Sequence, residues 1–583
     1  MISGEKVKNR EISAIFDEIA LMLSIDERPN SRFEIRAYQR ASLSILSMQE
    51  PIEQVYKSGG IVKLMEIPGV GRGLADKIAE YLDSGRIKKY DELKKKYPID
   101  FKSITAIEGM GAKRAYILYK KLGVADIAGL KQAVEKHKIR ELEGFGDKSE
   151  ELISRGLLQQ ELSKGRILLG DALPIAEAIV ESIAKSNLAD QVVIAGSARR
   201  MRETVGDIDI LALSNKPKEV MELFVNLPNV SSVVVSGDTK TTVWLDLGIT
   251  CDLRIIDSSS FGAAMQYFTG SKDHNIKVRT IAVSKGYKLN EYGLYNNDNG
   301  LIESRDEHII YEKLGMDYVP PEMREDRGEI HLAQKHILPR LVELKDIHGD
   351  MHTHTIETDG ANTIEEMAQA AIDRGYEYIA TTNHTKSLNI ARGMDEKGFE
   401  KLFDKVDKLN DKYEGKLRIL KGAEIDILKD GSLDLKKSYI SSMDYPIGAV
   451  HTSMKMDRDA MTDRIVKALD SKVLKALAHP SGRELLKREP YEFDAQKVFE
   501  AAERNNVALE INAQPSRLDL NDANIISASK YKINFSIGTD AHMQSHMNFM
   551  RYGVGMARRG WLEKGRIINT MGIKGLKKAL KIE

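Results

Sequence analysis

The sequence predicts a multidomain chain with an all-α first part, an α+β middle, and a C-terminal region of alternating strands and helices. That last region is built as a barrel or a doubly wound sheet. Three observations carry this expectation. Residues 11–160 read helical throughout, with few β-branched runs. From about 190 to 256, short apolar runs (QVVIAG, IDILAL, VSSVVVSG, TTVWLDLG) alternate with turn signals. After 345, strand-like runs (YIATTNH, LRILKGAEIDI, YPIGAVH, VLKALAHP, VALEINA, NFSIGTDAH) alternate with helical stretches at βα spacing. On such a sheet, ligands gather at the C-terminal ends of the strands.

Length and composition agree. At ~150 residues per domain, 583 residues suggest three to five domains, each able to bury a core. The chain is 42% apolar and 30% charged, ordinary for a globular protein and wrong for a disordered one. With 87 basic and 87 acidic residues the formal charge is zero, so any evidence for a nucleic-acid partner must be local. The single cysteine, Cys251, excludes internal disulfides and thiolate zinc sites. The start, MISGEKVKNREI, has no apolar signal core, and no run of eighteen apolar residues occurs, so a reduced, cytoplasmic protein with no membrane partner is expected. Of 13 histidines, eight lie between His348 and His546 and three precede residue 330, which suggests two chemistries on one chain. The charged stretch YVPPEMREDRGE, around Pro320, Pro321 and on to Pro339, reads as the seam between them.

In the helical part a glycine hairpin recurs three times: Ile67-Pro68-Gly69-Val70-Gly71, Ile107-Glu108-Gly109-Met110-Gly111 and Leu142-Glu143-Gly144-Phe145-Gly146. Paired glycines permit positive φ and close backbone approach, and the following helix start offers free N–H groups to a phosphate. One copy is as well read as a helix-capping turn. Three copies, with 19 Lys/Arg against 11 Asp/Glu over residues 51–140, point to non-specific binding of a duplex backbone. The repeats resemble helix-hairpin-helix motifs.

The middle part carries a carboxylate constellation. The strand Gln191–Ala195 is followed by Gly196-Ser197-Ala198-Arg199-Arg200 and then Gly206-Asp207-Ile208-Asp209-Ile210. Aspartates two apart on a strand share a face, and Asp252 of Cys251-Asp252-Leu253-Arg254 supplies a third carboxylate from a neighbouring strand. Three converging carboxylates repel by about 4 kcal/mol per pair at 4 Å and an effective dielectric of 20, which divalent cations relieve. Two such ions would activate a hydroxyl and stabilise a leaving oxygen in in-line phosphoryl transfer. Gly196, Ser197 and Arg200 would hold a triphosphate.

With Tyr267-Phe268-Thr269-Gly270-Ser271, Asn275 and Arg279, residues 1 to about 320 resemble a family X DNA polymerase of the DNA polymerase beta superfamily. The resemblance implies a nucleotidyltransferase palm with Mg²⁺ or Mn²⁺ on Asp207, Asp209 and Asp252. It places Ser197 and Arg200 on the triphosphate, Tyr267 and Phe268 beside the nucleotide sugar, Asn275 at the incoming base edge and Arg279 in the template minor groove, with Gly270 also in the nucleotide-binding set. The first domain looks like the family's 5′-phosphate-binding domain. Lys77 falls where some relatives carry a Schiff-base lysine for 5′-deoxyribose-phosphate removal, and Tyr38 also matches. Gly73 stands where those relatives have a further lysine. A monovalent cation at the hairpins, with Gly69, Gly71, Gly109, Gly111, Gly144 and Gly146 on DNA, is also implied.

The histidine-rich part forms a second constellation at predicted strand ends. It comprises His352 and His354 of Asp350-Met351-His352-Thr353-His354, then Asp359, His384, Glu424, His451, His479, Asp540 and His542. Six histidines and three carboxylates in one recurring position read as a metal cluster, and N/O donors without thiolates suit Mn²⁺ or Zn²⁺. Such a cluster would activate water against a phosphoester. Residues 346 to about 575 resemble a PHP (polymerase and histidinol phosphatase) domain, a (β/α)7-like barrel holding up to three metals. All its ligand positions are filled. One departure stands out: the usual Thr-Asp-His reads Thr382-Asn383-His384. His348 and His546 lie outside the matching positions and read as surface residues.

The whole is thus similar to the bacterial and archaeal type of family X DNA polymerase with a C-terminal PHP domain. The implied division is 1–85, a helical 5′-phosphate-binding domain; 86–155, helix-hairpin-helix fingers; 156–260, the palm; 261–322, a nucleotide- and template-binding subdomain; 323–345, a linker; and 346–583, the PHP domain. A monomer acting on gapped or primed DNA with dNTPs is expected, filling gaps by template-directed synthesis and trimming 3′ ends through the PHP site. Two rivals share these features: a nucleotidyltransferase with a non-DNA acceptor, and a PHP phosphoesterase with an inactive polymerase-like clamp. The PHP part could also be a structural zinc domain. The hairpins and the Tyr267–Ser271 motif argue against the first rival.

Overall fold

The computed structural model describes residues 7–25, 31–48, 51–67, 69–105, 107, 110–147, 149–151, 153–154, 157, 165–486 and 488–582. The chain divides into two compact units, Met1–Gly165 and Arg166–Glu583.

The first unit is helical, as its periodicity predicts. Along Val7–Leu23, Ile12, Phe16, Ile19 and Leu23 recur every three or four residues, and all are fully buried. Helices Ser31–Ser47, Ile52–Leu64, Arg72–Ser84, Lys88–Lys96, Ala112–Leu122 and Ile127–Glu135 close the same apolar core. The hairpins share one backbone hydrogen bond. Val70, Met110 and Phe145 each donate a backbone N–H to Ile67, Ile107 and Leu142 at 3.0, 3.0 and 3.1 Å. Val70, Met110 and Phe145 are buried, so each turn is pinned by an apolar side chain while Gly69, Gly71, Gly111, Gly144 and Gly146 stay outward. Gly71 and Gly111 cap the helices Arg72–Ser84 and Ala112–Leu122, leaving helix-start N–H groups open. Gly69 has φ +82°, and a Cβ there would lie 2.7 Å from Arg40, so only glycine fits. Gly109 lies outside the described residues.

The second unit holds the strands β1 (Ile167–Leu168), β2 (Gln191–Ile194), β3 (Thr204–Val205), β4 (Asp207–Leu213), β5 (Val230–Ser236), β6 (Lys240–Leu245), β7 (Thr250–Ile256), β8 (Tyr287–Asn290), β9 (Gly293–Asn296) and β10 (Leu301–Glu303). They are followed by β11 (Gly349–Thr353), β12 (Tyr378–Thr381), β13 (Arg418–Asp426), β14 (Tyr445–Ala449), β15 (Ala476–Leu477), β16 (Ala508–Asn512) and β17 (Phe535–Gly538). A five-stranded sheet runs β2-β4-β7-β6-β5, and its only parallel pair, β4 with β7, sets Asp209 directly beside Asp252. β8, β9 and β10 form a small antiparallel sheet beyond the helices Phe261–Thr269 and Lys272–Ser284.

The last seven strands are all parallel and run in sequence order, β11 to β17. Six of them, β11, β12, β14, β15, β16 and β17, are buried along their whole length, and β12, β14 and β16 accordingly read as largely apolar runs. At their C-terminal ends β11 and β17 meet again. His354 N–H donates to Ala541 O at 2.8 Å and Ala541 N–H to His352 O at 3.3 Å, closing a barrel rather than a doubly wound sheet.

Residues 323–345 differ from the expected linker. They carry a helix, Glu329–Gln334, and a fully buried Arg324 that pairs with Glu307 at 2.5 Å and donates to Val319 O at 2.8 Å. The charges of Arg324, Glu325 and Glu329 are paired inside the unit, so a charged Pro-Pro stretch reads as a seam in sequence but packs as structure. One apolar core runs through Ile208 and Val243 of the first sheet and Ile379 and Ile537 of the barrel.

Candidate active sites

The first site lies at the start of β4. Asp207 and Asp209 share one face of β4, and the register with β7 adds Asp252. Burial, then the charges of Asp207 and Asp252, push Asp209 up to about 7, and burial and Asp252 raise Asp207 as well. A carboxyl pair that resists ionisation alone is a fit site for a divalent cation. Asp252 is already partnered: Thr242 donates to it at 2.6 Å, and Lys240 and Arg254 pair with it at 2.9 and 3.2 Å.

Against these carboxylates lies the Gly196–Arg199 turn. Gly196 has φ +61°, and a Cβ there would sit 2.3 Å from Asp209 Oδ2, so glycine alone lets the turn pass over the acid. The hydroxyl of Ser197 is buried with no hydrogen-bond partner, an orphaned donor beside the carboxylates. Arg200 reaches the second motif, donating through Nη1 to Thr269 O at 2.5 Å and through Nε to Glu325 at 3.1 Å. A Cβ on Gly270 would lie 3.0 Å from Arg200 Nη1, which explains glycine in that motif.

Tyr267 and Phe268 pack edge to face, with centroids 5.0 Å apart, and each carries a guanidinium: Arg279 over Tyr267 at 5.1 Å and Arg254 over Phe268 at 4.6 Å. Asn275 is buried, taking Gln266 Nε2 at 2.8 Å and donating to Tyr267 O at 2.7 Å. In this conformation it is a brace for the aromatic pair rather than a free base reader.

In the first unit, Lys77 is half-buried on the helix Arg72–Ser84 and donates to Gly73 O at 2.9 Å. A side chain on Gly73 would meet nothing within 4 Å, so the position is open to the missing second lysine. Tyr38 is buried against Phe16 with its hydroxyl unpartnered.

The second site fills the C-terminal mouth of the barrel, a pocket of about 280 Å³. Ligand-capable atoms converge within 4.8 Å in three overlapping groups: His354, Asp359, His384 and His542; His352, His354 and Glu424; His384, Glu424 and His451. His479 Nε2 lies 2.7 Å from Glu424 Oε1 and Asp540 Oδ1 3.1 Å from His354 Nε2, so all nine predicted residues meet there. Glu424 is the hub, and its Oε2, like Nδ1 of His354, His384 and His479, is buried without a hydrogen bond. These orphaned donor atoms and overlapping groups fit a metal cluster.

The electrostatics agree. Burial and the neighbouring His542 and His384 lower His354 to about 3, whereas Glu424 and Asp359 overcome burial to raise His384 to about 10. Despite burial, the surrounding imidazoles hold Glu424 and Asp540 well below the ordinary carboxylate range.

Supporting carboxylates that sequence reasoning missed orient the rings. Glu510 Oε1 lies 2.6 Å from His352 Nδ1 while its Oε2 accepts the His479 N–H at 2.7 Å, and Asp426 Oδ1 lies 2.8 Å from His451 Nδ1. The available signals were an acid inside the apolar run VALEINA and an aspartate two residues after Glu424 on one strand. Arg517, 3.6 Å from Asp540 Oδ2, adds a cation to the lining.

Asn383 is fully buried and hydrogen-bonded at both ends of its amide. Its Oδ1 accepts from Thr355 N at 2.9 Å, Thr355 Oγ1 at 3.1 Å and Thr358 Oγ1 at 2.7 Å, and its Nδ2 donates to Thr381 Oγ1 at 3.0 Å. It therefore fixes the loop that presents Asp359. His348 is half-exposed and pairs with Glu377 at 2.7 Å. His546, expected as a surface residue, is half-buried and accepts the His542 N–H at 3.4 Å, so it braces His542.

A palm-like carboxylate site and a histidine-lined barrel define a family X DNA polymerase joined to a PHP domain. The comparisons agree. Residues 264–325 match the DNA polymerase beta thumb, 7–87 a helix-hairpin-helix domain, 101–157 a SAM-like helix-hairpin-helix tandem and 348–514 the PHP domain. The chain is 35% identical over 575 residues to the DNA polymerase/3′-5′ exonuclease PolX of Bacillus subtilis (strain 168), covering 98% of this chain and 99% of that protein. It is 23% identical over 354 residues to DNA polymerase lambda of Rattus norvegicus, covering 55% and 58%. It is 26% identical over 246 residues to a probable phosphatase of Vibrio parahaemolyticus, covering 40% and 93%. The chain belongs to the PolX family of PHP-bearing family X DNA polymerases. No helix among the described residues is long and apolar enough to cross a membrane.

Proposed function

We propose that the chain is a gap-filling DNA polymerase that also degrades DNA from the 3′ end at its PHP site. The observation that carries this is the coexistence in one compact unit of the Asp207/Asp209/Asp252 face and the nine-residue PHP cluster. At the first site Asp207, Asp209 and Asp252 would hold Mg²⁺ or Mn²⁺. Ser197 and Arg200 bind the triphosphate, and Tyr267, Phe268, Gly270 and Asn275 shape the sugar and base pocket. At the second, His352, His354, Asp359, His384, Glu424, His451, His479, Asp540 and His542 would hold Mn²⁺ or Zn²⁺. Bound divalent cations supply acidity to a hydroxyl or water and neutralise developing phosphate charge. The residues around them set geometry: Glu510 and Asp426 fix ring tautomers, and Asn383 fixes the Asp359 loop. Arg517 contacts the scissile phosphate of the bound DNA end. The helix-hairpin-helix turns hold the DNA backbone through helix-start N–H groups.

The test is single-nucleotide insertion on DNA with a one-nucleotide gap, in Mg²⁺ and then Mn²⁺, followed by the same primer without dNTPs. Extension with dNTPs and 3′ shortening without them is the expected pair. Transfer to a non-DNA acceptor, or no extension at all, contradicts the assignment. We also propose Lys77 as the nucleophile of a weak 5′-deoxyribose-phosphate lyase, its half-buried side chain, with the amine on Gly73 O beside an open Gly73 position, supporting the reading. Borohydride trapping on an incised abasic substrate should give an adduct that Lys77→Ala removes; a lysine-independent adduct, or none, ends this reading.

A further inference from the structure

We infer that Arg559, on the PHP side of the unit, is a positioning residue for nucleotide binding at the polymerase site. The inference rests on the assignment of Arg200 to the triphosphate. The guanidinium of Arg200 donates Nε to Glu325 at 3.1 Å and Nη1 to Thr269 O, and its Nη2 has no protein partner among the described residues. Arg559 grips the same assembly from the other side. Its Nη1 donates to Glu325 Oε1 at 3.0 Å and to the backbone carbonyl of Arg200 at 2.7 Å, and its Nη2 donates to Asp522 at 2.5 Å. Arg559 is 2% exposed. Its pairing is set inside the fold rather than in solvent.

Two further contacts put the nucleotide turn on the same helix, Met550–Arg559. Arg200 is followed by Met201 at φ +53°, and Met201 lies against Gly555, where a Cβ would sit 2.6 Å from Met201 Cε. On another side of this helix, a Cβ on Gly553 would sit 2.5 Å from Ile537 in β17, the strand that leads into Asp540 and His542. One helix thus packs beneath a PHP metal-ligand strand and also holds the exit of the Gly196–Arg200 turn.

The charge arrangement gives the direction of the effect. Glu325 sits among Arg200, Arg559 and Arg202, the last at 3.6 Å, so its negative charge is shared and Arg200 keeps positive charge for phosphates. Without Arg559, Glu325 falls back on Arg200, the Arg200 carbonyl loses a donor, and a positive charge leaves the surroundings of a polyanionic ligand. All three changes weaken triphosphate binding. None touches Asp207, Asp209 or Asp252, so the chemical step keeps its ligands.

The experiment is steady-state insertion on one-nucleotide-gapped DNA by the full-length protein, with 3′-exonuclease activity of the same preparations as the fold control. Arg559→Ala is expected to raise the dNTP KM about tenfold, with kcat changed less than about twofold and exonuclease retained. Arg559→Lys keeps a charge for Asp522 but cannot span both Glu325 and the Arg200 carbonyl, so a smaller rise of about threefold is expected. Should the alanine variant lose exonuclease as well, the lysine variant decides by the same criterion. Arg200→Ala is the benchmark. If it raises KM while the Arg559 variants leave KM at the parent value, the positioning role is wrong and the triphosphate assignment stands. If Arg200→Ala itself leaves KM unchanged, both fall.

Discussion

The two candidate sites solve the problem of gathered charge in opposite ways. At the palm, the acids stand on adjacent strands of an open sheet, and part of their charge is met by Lys240 and Arg254 on Asp252. In the barrel mouth Glu424 and Asp540 are buried and met by imidazoles, with Glu424 alone facing His352, His354, His384, His451 and His479. On the proposed reading, the palm is a half-built site that a nucleotide and its cations complete. The PHP cluster is assembled before any substrate arrives. The difference follows from topology: one parallel pair in a mixed sheet offers two strand ends to a ligand, whereas a closed seven-stranded barrel turns all its C-terminal ends onto one point.

The largest effect that sharpens this contrast is at the hub. Glu424→Gln should cut 3′-end degradation by at least about a thousandfold, because it removes the charge shared by overlapping ligand groups, and leave gap filling near the parent rate. Rates on a single-stranded and a gapped substrate check it. Next comes Glu510→Gln, which keeps the ligands but loosens His352 and His479. A loss of roughly 10- to 100-fold in metal affinity or degradation is expected, read by metal content after dialysis.

The palm should show its dependence on pH. With Asp209 raised to about 7, a proton competes with the cation below that pH. The half-saturating Mg²⁺ concentration for gap filling should therefore fall about tenfold from pH 6 to pH 8. The sign for stability is opposite. A raised carboxyl binds its proton more tightly folded than unfolded, so without Mg²⁺ its contribution is full below the unfolded value and is lost as pH rises through about 7. Thermal melts with and without Mg²⁺ at both pH values check this. The smallest effect is Asn383→Asp. The new carboxylate can accept the same three donors while Thr381 turns its hydroxyl to donate, so the loop survives. Added negative charge beside the cluster should tighten metal binding roughly two- to fivefold, measured by competition with a chelator.

Much of this was legible in the sequence because the chemistry is local. The turn at Gly196, the Asp207/Asp209 pair and the strand-end histidines each sit within a few residues of their structural cause, a strand whose alternation or terminus aims them. Residues 323–345 were misread because a run of charges with Pro-Pro looks solvated, and only the fold supplies Glu307 for Arg324. Glu510 and Asp426 were legible only as acids in apolar strands; their partners, His352 and His451, lie 158 and 25 residues away. Arg559 carried no sequence signal, since its role depends on the palm and barrel sharing one core. The choice between barrel and open sheet likewise turned on a closure between Ala541 and the end of β11 that no local pattern encodes.

The central claim is that synthesis and degradation occur at separate sites, and reciprocal variants on one substrate test it most directly. Asp209→Asn and His354→Ala, each with a gapped, labelled primer and scored for lengthening and shortening in the same reaction, should split the activities. The first should shorten without extending, and the second should extend without shortening. Folded variants that each lose both activities together, or a His354→Ala protein that still degrades at the parent rate, would contradict the account.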